Sequence, residues 1–134
     1  MTRKVRSRLA ALPPYRLYAG TGVLVFVLTL IFARAFPGWL DGGLSAVLLY
    51  VTTGLLALLG VFVFRLLARP DSLIEAVATA AAVSVLLEGI VLTFAPGAYG
   101  TVVTARFAGA WLLYGAGMSL VAAILLETRS TRKR

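Results

Sequence analysis

The sequence predicts an all-α integral membrane protein, with four transmembrane helices in an up-down-up-down bundle and both termini on the cytoplasmic side. Three observations carry that expectation. Of 134 residues, 60% are hydrophobic and 13% charged, with a mean hydropathy of +0.96, more apolar surface than a soluble domain of this length needs. The apolar residues come in four long blocks, and a bilayer core asks for about 20 such residues per helix. The basic residues gather at alternate block ends, as retention of positive charge in the cytoplasm requires.

The elements follow in order. Residues 1–16 form a basic N-terminal stretch with Arg3, Lys4, Arg6, Arg8 and Arg16. The first helix is expected at about 17–36; its apolar block, Leu17 to Ala33, is the shortest and gains length only with Tyr15 or Phe36 in the interface. A basic start, an apolar stretch and Ala33-Arg34-Ala35 also resemble a secretory signal with a small-x-small cleavage site. The stretch exceeds the roughly 7–15 residues of a signal core, and an arginine inside the site disfavours cleavage, so the block is read as a retained span. Pro37-Gly38 and Asp41-Gly42-Gly43 break the chain before a second helix at about 44–66. Arg69-Pro70-Asp71-Ser72 precede a third at about 72–95, where Ser72 or Asp71 serves as N-cap and Glu75, three residues after Ser72, completes a capping-box pattern. Pro96-Gly97 through Gly100-Thr101 lead to a fourth helix at about 105–127, followed by a basic tail, 128–134. Connections this short make neighbouring helices antiparallel and predict two tight hairpins.

Orientation comes from the charges. Eleven basic residues fall on the side of the termini, and only Arg34 and Arg106 on the other. Trp39 and Tyr99 on the sparse side, and Tyr15 and Tyr18 on the basic side, suit the membrane interface. The basic ends should attract anionic lipid head groups, at about 1 kcal/mol per residue near the surface. The expected partners are therefore the bilayer and its anionic lipids, with a second copy or other membrane proteins beside it. A nucleic-acid surface would interleave aromatic and polar residues with the charges, and these basic stretches do not.

The hairpins share a pattern. Phe36-Pro37-Gly38-Trp39 and Ala95-Pro96-Gly97-Ala98-Tyr99 sit at matching places, and Leu48-Leu49-Tyr50 and Leu112-Leu113-Tyr114 follow. Proline to tyrosine is 13 residues in the first and 18 in the second. A duplication would make the two hairpins parallel repeats. The same pattern also arises without one, because turns use Pro-Gly and membrane helices use Leu.

The chain has no cysteine and no histidine, which removes thiol chemistry, the commonest catalytic base and the commonest metal ligands. No catalytic residue, metal site or cofactor is expected, and the chain is read as a non-enzyme. Glu88 is the only acid well inside a span, about 7 Å from the midplane at 1.5 Å per residue. A carboxyl there is costly and faces a bundle interior or a cavity. It either exchanges a proton or binds a cation during transport, or pairs with Arg106 or Arg34 bending inward from the outer helix ends. Beside it, Ala81 and Ser84 on the third helix, with Gly109, Gly115 and Ala116 on the fourth, predict a close contact between those helices. Thr52, Thr53 and Gly54 make the most polar spot of the second helix. Their hydroxyls either bond back to their own chain or join Ser84 and Glu88 along a polar path. Trp111 and Tyr114 are read as packing or lipid-facing.

Leu86-Leu87-Glu88-Gly89, Phe94-Ala95-Pro96-Gly97 and Phe107-Ala108-Gly109-Ala110-Trp111-Leu112-Leu113-Tyr114-Gly115 resemble the second hairpin of a small bacterial four-helix membrane family of uncharacterised activity. The resemblance implies the same architecture, with Glu88 as the family's acid in the third helix, and implies no substrate. The expected function is that of a small polytopic inner-membrane protein, a structural or accessory subunit. The alternative is a small proton-coupled or ion transporter using Glu88.

Overall fold

In the computed structural model the described residues form helices and the turns between them, with no strand among them. The structure describes residues 14–39, 43–68 and 71–131; most of the basic N-terminal stretch, Asp41-Gly42, Arg69-Pro70 and the tail residues Arg132, Lys133 and Arg134 lie outside them. Four helices make up nearly all of it: α1 (Pro14–Ala35), α2 (Gly43–Ala68), α3 (Leu73–Phe94) and α4 (Val102–Thr131). With 22, 26, 22 and 30 residues at 1.5 Å each they run about 33–45 Å, against roughly 30 Å of bilayer hydrocarbon. All four are long and apolar enough to cross a membrane.

Three of the four helices continue past the apolar blocks that announce them. α1 starts at Pro14, because a proline's fixed φ and missing N–H suit a first helical turn although hydropathy does not register it. α4 begins at Val102 and runs to Thr131 rather than spanning 105–127. Thr101 caps its start, the hydroxyl accepting from the Thr104 N–H at 3.1 Å. Ser72 caps α3 as its sequence pattern predicts, accepting from the Glu75 N–H at 3.2 Å. A second group serves that same end: the Glu127 carboxylate, from the last turns of α4, accepts from the Ile74 N–H at 2.8 Å and so satisfies another donor with no partner inside the helix. Next to it Arg65 of α2 donates to the Leu126 carbonyl at 2.9 Å. These contacts tie α2, α3 and α4 together at the end of the bundle that carries the termini, here the terminal end; the other is the loop end.

The helices do not pack in chain order. α1 lies along α3, α2 along α4, and α3 against α4, whereas α1 and α2 stand apart over most of their length. The second hairpin is tight. The first is splayed, which corrects the expectation of two tight hairpins, and small residues give the reason. At Gly22 a Cβ would collide with the Ala80 carbonyl oxygen and lie 2.9 Å from the Val83 Cβ, so α1 meets the α3 backbone at a distance only glycine permits. Gly54 of α2 meets the Tyr114 hydroxyl, 3.0 Å from where a Cβ would stand, and Gly115 of α4 meets the Thr53 methyl at 3.4 Å. Each helix of the first hairpin thus docks on a helix of the second. Ala33, Leu49, Tyr99, Ala105 and Ala108 form the buried core at the loop end; Val61, Leu73, Val77, Ala122 and Ala123 form that of the terminal end.

Gly22→Ala should therefore destabilise the bundle by about 1–3 kcal/mol, the cost of overpacking a close contact. Gly20→Ala, where a Cβ meets only open space, should be neutral or mildly stabilising. Reversible unfolding of both variants in detergent checks the pair.

Candidate functional site

In an apolar bundle, functional chemistry has to come from polar atoms that the helices do not consume. Most hydroxyls are consumed: Thr21, Thr29, Thr53 and Ser119 donate to the carbonyls of Leu17, Val25, Leu49 and Gly115 four residues back, and Ser84 to that of Ala81. Two constellations remain.

The first is a buried pair. Glu88 is 3% exposed and Tyr99 1%, and the Tyr99 hydroxyl donates to Glu88 Oε2. Glu88 Oε1 has no hydrogen-bond partner among the described residues. Local chain chemistry builds this contact. Pro96 stops α3, residues Pro96–Tyr99 make one 3-10 turn, and Gly100, at φ +93°, reverses the chain into α4, a conformation that glycine adopts at little cost. The turn carries Tyr99 inward, into the core at the loop end. Burial first, and then the adjacent carboxylate, push the Tyr99 phenol well above its ordinary pKa, so it keeps its proton and acts as donor. Gly109 leaves room on the α4 side: a Cβ there would lie 3.0 Å from Leu92 Cδ1 and 4.0 Å from Glu88 Oε1.

Neither arginine pairs with Glu88. Arg34 Nη1 donates at 3.2 Å to the Ala98 carbonyl in the same turn, and Arg106 is exposed. A phenol is the less costly partner, since it adds a donor without burying a second charge. Tyr99, read from sequence as an interface residue, is thus an interior one, whereas Trp39 at the matching position of the first hairpin is 45% exposed.

The second constellation is a groove of about 890 Å³ to which all four helices contribute wall residues, lying where α1 and α2 stand apart. Its wall is almost wholly apolar, and its main polar contact is internal, the Trp111 indole donating to Thr53 Oγ1 at 2.5 Å. Tyr18 and Phe64 meet edge to face, centroids 6.0 Å apart, and join α1 to α2 at the terminal end. Phe32 packs on Trp111 near the loop end, centroids 5.1 Å apart.

The stripe of small residues is divided between these places. Gly109 lies in the α3–α4 contact and Gly115 turns toward α2. Ala81, Ser84 and Ala116, with Gly115, line the groove, so only part of the stripe makes the predicted contact between the third and fourth helices. Thr52 and Thr53 reach the same groove as Ser84, but Glu88 does not. The sequence reading missed Tyr99 as the partner of Glu88 and Glu127 as a cap. The available signal for the former was an aromatic held between Pro96-Gly97 and Gly100, where the turn has to point it somewhere. Among the described residues no group of acids is placed to hold a metal ion. Compared with family models, with curated proteins and with solved structures, the chain matches none.

Tyr99→Phe should leave both Glu88 oxygens without a donor and cost about 1–3 kcal/mol, the penalty for an unsatisfied buried group. Comparing unfolding of this variant with that of the parent chain in the same detergent measures it.

Proposed function

We propose that this chain is a multi-pass protein of the inner membrane with both termini in the cytoplasm, acting as a small non-enzymatic structural or accessory subunit. Eleven basic residues at the terminal end against two at the loop end support the orientation. The observation that favours a structural role is the placement of Glu88: its carboxylate is enclosed against Tyr99 and takes no part in the wall of the groove. A coupling acid has to meet an ion path from alternate sides, and the groove, which Glu88 does not line, is apolar and lies between α1 and α2. Glu88 in this reading pins the loop-end turn to α3. The resemblance of the second hairpin to an uncharacterised four-helix membrane family fits the same architecture.

A second reading, a proton-coupled or ion transporter using Glu88, draws on one observation, the unpartnered Oε1. The two part on paired substitutions. In Glu88→Gln the amide oxygen still accepts from Tyr99, so the structural reading expects a folded bundle; Glu88→Leu removes the acceptor and should cost about 1–3 kcal/mol. Vesicles holding the parent chain should show no gradient-driven flux above protein-free vesicles. Flux that the parent supports and a fully folded Glu88→Gln abolishes would overturn the structural role. Reporter fusions after Trp39, Pro70, Tyr99 and Arg134 test topology, and an external signal from Arg134 would reverse the orientation.

A further inference from the structure

We propose that the groove between α1 and α2 holds an acyl chain of an anionic phospholipid from the leaflet at the terminal end. The inference rests on the membrane reading and adds a ligand to it. The volume, about 890 Å³, lies within the roughly 300–1,000 Å³ of small-molecule sites. The wall makes little polar demand on an occupant: of its hydroxyls, those of Thr21, Thr29, Thr53, Ser84 and Ser119 are bonded to backbone carbonyls and the Trp111 indole to Thr53, which leaves Thr52 as the hydroxyl the helices do not consume. A hydrocarbon fits such a wall.

The shape of the opening separates a lipid chain from a partner helix. On α1 the wall runs from Thr21 to Ala35 and on α2 from Leu49 to Phe64, about 21–23 Å at 1.5 Å per residue. The turn containing Pro37–Trp39 joins the helices at the loop end, and the Tyr18–Phe64 contact bridges them at the terminal end. A spanning helix needs an unbroken trough of about 30 Å, and the bridge interrupts it. A flexible chain enters beneath the bridge from the side.

Charge selects the head group. In the sequence, the stretches before α1, between α2 and α3 and after α4, with the helix ends they adjoin, hold eleven basic residues against Asp71, Glu75 and Glu127, an excess of eight, while in the other two connections and their helix ends Arg34 and Arg106 are matched by Asp41 and Glu88. Among the described residues Arg16, exposed in the first turn of α1, lies at the same end as the Tyr18–Phe64 bridge, whereas Arg65 is held on the Leu126 carbonyl. An anionic head group held there leaves its chain at the mouth of the groove.

Trp111 lines the groove and serves as the probe. The full chain carrying Trp39→Phe, so that Trp111 is the single tryptophan, is reconstituted into bilayers containing phospholipids with brominated acyl chains, which quench indole on contact. The expected result is quenching by brominated phosphatidylglycerol with an apparent affinity at least about fivefold above that of brominated phosphatidylcholine, the gain from roughly one basic residue near the surface. Ala116→Phe, which fills the floor, and Ala57→Phe, which fills the α2 wall, should each remove most of it; the second serves if the first fails to fold. Leu86→Phe, on an exposed face outside the groove, should leave it unchanged. Equal quenching by both lipids, or undiminished quenching in a folded groove-filling variant, overturns the proposal. So does efficient cross-linking of Ala57→Cys between copies, which would place a second chain in the groove. A folded, reconstituted chain that fails these tests loses the lipid site and keeps the membrane reading.

Discussion

One buried carboxylate sets the conditions at the loop end of this bundle. A polar group that hydrocarbon cannot solvate has to find its partner inside the protein, and the Glu88 carboxylate finds it in Tyr99. Meeting that need takes a proline to stop α3, a 3-10 turn of set length, and a glycine at positive φ to bring the chain back. The tyrosine becomes part of the core and Arg34 fastens the same turn from α1. What looks like an isolated polar residue in an apolar helix is the anchor of a turn that organises three of the four helices.

The contrast between the hairpins follows from the same chemistry. Eight residues before Pro96 stands Glu88; eight residues before Pro37 stands Thr29. Threonine satisfies itself on the Val25 carbonyl and offers nothing to Trp39, which stays exposed. The second hairpin closes over its tucked aromatic, and the first stays open over the groove. The matched tyrosines nonetheless meet, the tilted rings of Tyr50 and Tyr114 lying with centroids 4.9 Å apart, since α2 and α4 lie side by side. Similar turn sequences thus yield one sealed hairpin and one lateral opening.

The four helices and their turns were legible in the sequence because hydropathy blocks, Pro-Gly breaks and the Ser72 cap act locally. The helix ends at Pro14 and Thr131 were not, since hydropathy stops reporting where a helix leaves the apolar layer. Helix pairing was misread for a related reason. An even, all-round apolar surface does not say which face meets which neighbour, and the deciding residue, Gly22, reads as an ordinary glycine until the α3 backbone is placed against it. The candidate acid was visible from its cost alone, but its partner was not, because choosing Tyr99 over two arginines depends on where a turn points a side chain. Glu127 was hidden likewise: its role as a cap lies on another helix, more than fifty residues away.

The parallel pairing of α1 with α3 and of α2 with α4 bears on how the bundle comes together. The seam at Gly22 and Ala80 joins residues 58 positions apart in sequence, and the side-chain ties at Arg34 and Arg65 close loops of 64 and 61 residues. Contacts of such sequence separation form late. In the membrane reading proposed above, two first helices with so little to hold on to in each other imply insertion followed by association, with the second hairpin as the template on which the first is sorted.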